Sequence, residues 1–377
     1  MMDTAIRPFY LDLTEEEIKN IQEELGRILR GGTLILGDHT KAFEDEFAEY
    51  IGCKDAVALN TGTTALDILM RWHDVKGKRV AVASNTNFAT VAAILHAGGQ
   101  PVFMDMTEEY FVPNLDILRY THEKYEVQGV AWVHIGGIIA PDFQEVVEYC
   151  RGHGLFLIED AAHAHGSIMN GIKAGNFADG GAFSFFPTKV MTTMEGGMLT
   201  TNDEELAAYA RSMRNQGKRG AAYGGLHYDL GNSWRISEIA AYIGRVQLLK
   251  LDAMVARRTQ AAGGLAEELD RLAVEYCSTR HMDQASNYKF IVKLPEGCDR
   301  DKIKACLKDK GVICGGGVYD VPCHQQPVFQ NIPYEEEDLK VTERWCPRHI
   351  CPPITSGVTE EQVRYMRKAF AEVLNAR

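Results

Sequence analysis

The chain has 377 residues, 45% of them hydrophobic and 24% charged, the balance of an ordinary soluble globular protein long enough for two domains. Its formal net charge of -12 and its lack of a long basic run exclude a nucleic-acid groove, which relies on clustered Lys and Arg, and leave a small molecule as the expected partner. No apolar stretch is long enough to span a bilayer, and Met1-Met2-Asp3-Thr4-Ala5 lacks the basic start and apolar run of a signal peptide, so no membrane association and a cytoplasmic location are expected.

A first helix is predicted over Leu13 to Leu29, with Thr14 as N-cap and Glu15, Glu16 and Glu17 in the first turn, where the helix dipole favours carboxylates; Gly31-Gly32 ends it. A second helix, Lys41 to Tyr50, leads through Gly52 to the apolar run Ala56 to Leu59. Extended and helical patterns then alternate: Arg79 to Ala83 extended, Phe88 to His96 helical, Pro101 to Met104 extended, Val130 to Val133 extended, Phe143 to Gly152 helical and Leu155 to Glu159 extended. Such alternation implies crossover connections and a largely parallel sheet covered by helices. Ala182 to Phe186 and Met198 to Thr201 follow with little helix between them, which predicts a partly mixed sheet. A long helix is predicted over Ile236 to Leu265, with Ile236, Ile239, Ile243, Val246 and Leu249 at roughly helical spacing. Beyond it, strands at Tyr288 to Leu294 and Gly311 to Cys314 and a helix over Glu360 to Leu374 suggest a smaller domain. The boundary is placed near Leu251, giving 1–250 and 251–377.

Nine cysteines without paired spacing fit reduced thiols better than a disulfide framework. Cys346, His349 and Cys351, with Cys323-His324 upstream, could ligate a metal, but no two Cys have the two-residue gap of structural zinc, and buried thiols are the preferred reading; no metal is expected.

The chemistry concentrates in three segments. Asn60-Thr61-Gly62-Thr63-Thr64 lies between a predicted strand and helix, where free N–H groups and the dipole attract an anion, although Gly and Thr also cap helices with no ligand. Asp160 ends a strand, where ligands gather in open α/β sheets, and could equally cap the next segment. Lys189 follows Phe183-Ser184-Phe185-Phe186-Pro187-Thr188, and a partly desolvated ammonium has a lowered pKa suited to imine chemistry. An acid and a lysine so placed suit pyridoxal phosphate, whose aldehyde would take the Lys amine while the carboxylate keeps the pyridine nitrogen protonated. The glycines of Thr192-Thr193-Met194-Glu195-Gly196-Gly197 would let the backbone turn tightly beside such a site.

Ile158-Glu159-Asp160-Ala161-Ala162-His163-Ala164-His165-Gly166, Phe183 to Lys189 and Glu195-Gly196-Gly197-Met198 resemble the DegT/StrS family of sugar aminotransferases, over nearly the whole chain. The resemblance implies an α/β, fold-type I, aspartate aminotransferase-like architecture with a large mixed-sheet domain and a smaller C-terminal α+β domain, and a homodimer with shared active sites. It makes Lys189 the Schiff-base lysine, Asp160 the partner of the pyridine nitrogen and His163 a hydrogen-bond partner of the phenolic oxygen. It also makes Phe88 the aromatic that stacks on the ring and gives the phosphate to Thr63, Thr64 and Ser184. Gly231-Asn232-Ser233-Trp234-Arg235 departs from the family's Gly-Tyr-Asn-Tyr-Arg, so the cross-subunit phosphate contact falls to Ser233 or its neighbour Asn232. Phe186, Arg235 and His324 are the implied substrate contacts; a structural His324 is the alternative.

The activity implied is transfer of an amino group, from glutamate, to a keto sugar on a nucleoside diphosphate for amino-sugar biosynthesis, with pyridoxamine phosphate formed between half-reactions. Lys189 would move the proton. The rivals are a cofactor-dependent sugar dehydratase, which carries His at the lysine position, a cyclitol aminotransferase, and a regulatory relative without catalysis.

Overall fold

The computed structural model describes residues 5–220 and 224–375. Helix α1 (Glu15–Gly31) opens on a capping box: the Glu17 N–H donates to Thr14 Oγ1 at 3.2 Å and the Thr14 N–H donates to the Glu17 carboxylate at 2.7 Å. Gly32, at φ 77°, closes it in the left-handed conformation. Then come α2 (Asp38–Ile51), β1 (Asp55–Leu59), α3 (Gly62–Trp72), β2 (Arg79–Ala83), α4 (Phe88–His96), β3 (Gln100–Met104), α5 (Leu115–Tyr125), β4 (Gly129–Val133), α6 (Phe143–Gly152) and β5 (Phe156–Asp160). A short hairpin, β6 (Ile168–Met169) and β7 (Ile172–Lys173), precedes β8 (Gly180–Ser184) and β9 (Gly197–Thr201). The described chain closes with α7 (Glu204–Arg214), α8 (Glu238–Leu248), α9 (Leu251–Arg271), β10 (Val292–Lys293), α10 (Arg300–Asp309), α11 (Lys340–Trp345), β11 (His349–Ile350) and α12 (Glu360–Asn375).

Seven strands form one mixed sheet in the order β1-β9-β8-β5-β4-β2-β3. Neighbours from β8 through β5, β4 and β2 to β3 are parallel, and β9 runs antiparallel to both β8 and β1. The strands therefore deliver Ala83, Val133, Asp160 and Ser184 to one edge of the sheet, and the β8–β9 connection, which carries Lys189, lies at that same edge. Successive strand residues feed opposite faces, as the two-residue period requires: Ala81, Val130, Trp132 and Leu157 join a core with Phe43, Phe47 and Phe183, while Val80, Val82, Ala131 and Ile158 join one with Leu59, Ile68 and Leu199 on the other side. A third apolar cluster draws on Ala261, Leu265, Phe290, Val312 and Phe370 together with Ile6 from the N-terminal end. Helix α9 spans the division, with Met254 and Val255 in the first cluster and Leu265 and Leu269 in the third.

Several expected elements differ in the structure. The long helix over Ile236 to Leu265 is two helices, because the chain breaks at Leu249-Lys250 and leaves Leu249 88% exposed. The spacing of apolar residues on either side is the same, so periodicity alone could not place the break. Of Tyr288 to Leu294 only Val292–Lys293 pairs as strand, since the Lys289 N–H is spent on Gly136 O at 3.2 Å. Gly311 to Cys314 makes a single bridge from Val312 to Ile6 instead of a strand. Helices α5, α7, α10 and α11 are not announced by the sequence pattern; α10 buries only Ile303 and Leu307, too few apolar residues to mark a face.

Candidate active site

At the common edge of β2, β5 and β8 lies a cavity of about 280 Å³, lined by Thr61, Gly62, Thr63, Thr86, Asn87, Asp160, His163, Ser184, Phe186, Lys189, Glu195 and Tyr319 among others. The turn before α3 is N-capped by Thr61, whose Oγ1 accepts from the Thr64 N–H at 3.1 Å, leaving Gly62 and Thr63 in the helix's first turn, facing the cavity with the positive end of the dipole. Gly62 is required by packing: a Cβ there would sit 2.8 Å from Ser184 Cβ and 2.9 Å from Phe183 O. That close approach puts Thr63 and Ser184 on one side of the cavity, an arrangement suited to an anion.

Asp160 is buried at the end of β5. Its Oδ2 accepts from Thr90 Oγ1 at 2.7 Å and its Oδ1 from the Ala162 N–H at 3.1 Å, so the carboxylate is fixed from both sides. His163 Nδ1 accepts from the Gly136 N–H at 3.3 Å, which puts the proton of the neutral ring on Nε2, 3.4 Å from Tyr319 Oη. Burial, with Lys189 and Lys289 nearby, holds His163 well below the ordinary imidazole pKa. Lys189 as a residue is half-buried, but protein atoms crowd its ammonium. Desolvation lowers its pKa, and Tyr288 and Asp160 offset part of that shift. Among the described residues no carboxylate forms an ion pair with Lys189. An amine with a lowered pKa, a fixed carboxylate and an anion-accepting helix N-terminus around one cavity fit pyridoxal phosphate, whose aldehyde, pyridine nitrogen and phosphate need those three groups.

The cavity gathers Thr63, Asp160, His163, Ser184, Phe186 and Lys189 from the residues singled out in the sequence. The others lie elsewhere. Thr64 is turned inward, its hydroxyl donating to Asn60 Oδ1 at 2.8 Å. Phe88 is 51% exposed and stacks on Phe329 at 5.4 Å, while its neighbours Asn87 and Ala89 line the cavity. His324 is buried between Ser84 Oγ, 2.6 Å from its Nδ1, and the Glu343 carboxylate, 3.2 Å from its Nε2, and does not line the cavity. Asn232 and Ser233 are exposed; Arg235 bonds Asn215 Oδ1 at 3.0 Å and the Ser233 hydroxyl, away from the cavity of its own chain. Thr86, Asn87 and Tyr319 line the cavity without having been assigned a role; the position of Thr86 and Asn87 just past the end of β2 was the signal that could have found them.

This sheet and lysine-bearing cavity define a fold-type I enzyme of the aspartate aminotransferase kind. Residues 15–371 match the model of the DegT/DnrJ/EryC1/StrS aminotransferase family, and the chain belongs to that family and is an aminotransferase. It is 32% identical over 379 residues, 99% of each chain, to the dTDP-3-amino-3,4,6-trideoxy-alpha-D-glucose transaminase of Micromonospora megalomicea subsp. nigra. It is also 32% identical over 371 residues, 96% of this chain and 97% of the other, to a pleiotropic regulatory protein of Geobacillus stearothermophilus. The X-ray structure of S. venezuelae DesV in complex with a ketimine intermediate superposes with a TM-score of 0.90 at 28% identity, covering 98% of each chain.

Proposed function

We propose that the protein moves an amino group from glutamate to a keto sugar carried on a nucleoside diphosphate, using pyridoxal phosphate, as a cytoplasmic homodimer with shared active sites. The observation that carries the reading is the cavity in which the buried carboxylate of Asp160 and the amine of Lys189 face a helix N-terminus. The bound cofactor would supply an aldehyde for the amine and a ring able to hold an electron pair. Lys189 would hold that aldehyde and, once freed, shuttle a proton between the donor carbon and the cofactor carbon. Asp160 would keep the pyridine nitrogen protonated, His163 would donate from Nε2, and Thr63 and Ser184 would meet the phosphate. Asn232, Ser233 and Arg235, which leave their own cavity, would serve that of a second copy, and Phe186 would meet the sugar. Lys189 itself argues against the dehydratase, and the transaminase relative favours a nucleotide-linked sugar over a cyclitol.

The test is to load the protein with pyridoxal phosphate, add glutamate without any sugar, and measure the released cofactor by chromatography. Conversion to pyridoxamine phosphate is expected and would justify a screen of nucleotide-linked keto sugars. Cofactor held on Lys189 but unconverted would overturn glutamate as donor. Failure to hold cofactor at all would favour a regulatory protein, the name borne by the Geobacillus relative.

A further inference from the structure

Tyr288 belongs to the irregular stretch between α9 and β10, yet its position is fixed on all sides. Ser286 Oγ donates to His163 O at 2.7 Å, the Ser286 N–H to Ser167 Oγ at 3.1 Å, the Lys289 N–H to Gly136 O at 3.2 Å, and Arg258 Nη1 to Asn287 O at 3.1 Å. So held, the Tyr288 ring lies 4.3 Å from the His163 ring, with its hydroxyl 3.1 Å from Thr188 Oγ1. The Lys189 Nζ stands 5.0 Å from its centroid, and the Lys289 Nζ 5.3 Å.

We propose that the face of the Tyr288 ring is the seat that holds the Lys189 ammonium beside the cavity, making Tyr288 a positioning residue for the reacting amine. The negative face of an aromatic ring attracts a cation, and more strongly where water is excluded. The charged and titratable groups around the Lys189 amine are Asp160, Tyr288, Lys289, His163 and His165. Asp160 favours the charged form, as an ionised Tyr288 hydroxyl does, whereas Lys289 and burial oppose it; the ring face adds an attraction that does not need the hydroxyl. Attack on an aldehyde needs the neutral amine, so the ring both fixes where the nitrogen waits and helps set the pH at which it becomes reactive. The inference rests on the proposed reading only in taking Lys189 as the reacting amine; the contact itself exists without cofactor.

The experiment uses the full-length, cofactor-free protein. It is treated over a range of pH with a small amine-directed acylating reagent, and modification of Lys189 is read by peptide mass. Tyr288→Phe keeps the ring and is expected to lower the midpoint by less than either ringless variant. Tyr288→Leu and Tyr288→Met remove a group that stabilises the ammonium, so their midpoints are expected to fall by on the order of one pH unit. Either ringless variant that folds suffices. An unchanged midpoint without the ring would overturn the proposal, as would a Phe variant that shifts as far as Leu, since that would assign the effect to the hydroxyl and Thr188. A shift in a protein that never converts cofactor would leave the seat standing and remove the function; conversion with no shift would do the reverse.

Discussion

The cavity has two unlike walls. On one side, Asp160 and Ser184 occupy strand ends whose backbones are locked in the ladder, with Val133 opposite Asp160, Asp160 opposite Ala182 and Ser184 opposite Gly197. On the other side, Asn87 and Tyr319 belong to irregular chain, tied together by the Cys323 N–H to Ser84 O at 2.8 Å, His324 Nδ1 against Ser84 Oγ at 2.6 Å, and the Val318 N–H to His349 Nε2 at 2.8 Å. Backbone pairing survives a change of side chain, so the sheet wall can lose a functional group and keep its shape. The irregular wall is held in part by side chains, His324 and His349 among them, so a substitution there moves the geometry as well as the chemistry.

The largest expected effect falls on the β8–β9 connection beside the sheet wall. Lys189→Ala should lower turnover by at least about 10³-fold, because in the proposed function one amine would serve both the covalent attachment and the proton transfer. The thermal midpoint should stay close to wild type, since no carboxylate is left unpaired by its loss. Product formation followed alongside the melting curve checks both halves; undiminished turnover in this variant would remove the central claim.

Acid should loosen the irregular wall first. His349 Nε2 accepts the Val318 N–H, which a protonated ring cannot do, and burial pushes His349 down to about 4. His324 is lowered by burial as well, although Glu343 opposes the shift; His163 lies well below the ordinary value, and His165 is pushed down to about 3. Each ring is neutral in the fold and takes up a proton on unfolding below about pH 6.5. Stability is therefore full above that pH and declines as pH falls toward the folded values, by up to about 1.4 kcal/mol per pH unit for each ring. Urea unfolding at pH 7.5 and pH 5 measures the decline. His349→Gln, which can still accept the Val318 N–H, should flatten it, and an unaltered slope would show that this ring is not one of the sources.

The difference between the walls also decides what could be read in the sequence. The β–α alternation, the Thr14 N-cap, Asp160 at a strand end and the lysine after an aromatic strand are local patterns, and each depends on neighbours a few residues away. Tyr288 and Tyr319 reach the site only because distant segments pack against it, through bonds such as Ser286 to His163 that no spacing announces. His324 reads from its motif as either a substrate contact or a structural histidine, and Ser84 and Glu343, which hold it away from the cavity, are remote in sequence. Phe88 opens α4 directly after the capping Asn87; its ring stacks on Phe329, while Asn87 and Ala89 on either side of it line the cavity.

That contrast between Phe88 and its neighbours gives the smallest effect and the finest test of the comparison. Asn87 Oδ1 accepts from the Ala89 N–H at 3.0 Å as the cap of α4, and its side chain also lies beside the Tyr319 hydroxyl, so it connects the end of β2 to the irregular wall. Asn87→Ala removes both contacts; a lost cap costs about 1 kcal/mol, and if that cost falls on the cavity's geometry the cofactor should bind roughly fivefold more weakly, since 1.36 kcal/mol corresponds to tenfold. Phe88→Ala removes only packing on Phe329 and should change cofactor affinity by less than about twofold. Equilibrium dialysis of the cofactor against both variants separates them. If Phe88→Ala weakened binding more than Asn87→Ala, the ring would have to turn onto the cofactor when it binds, and the irregular wall would be a part that moves.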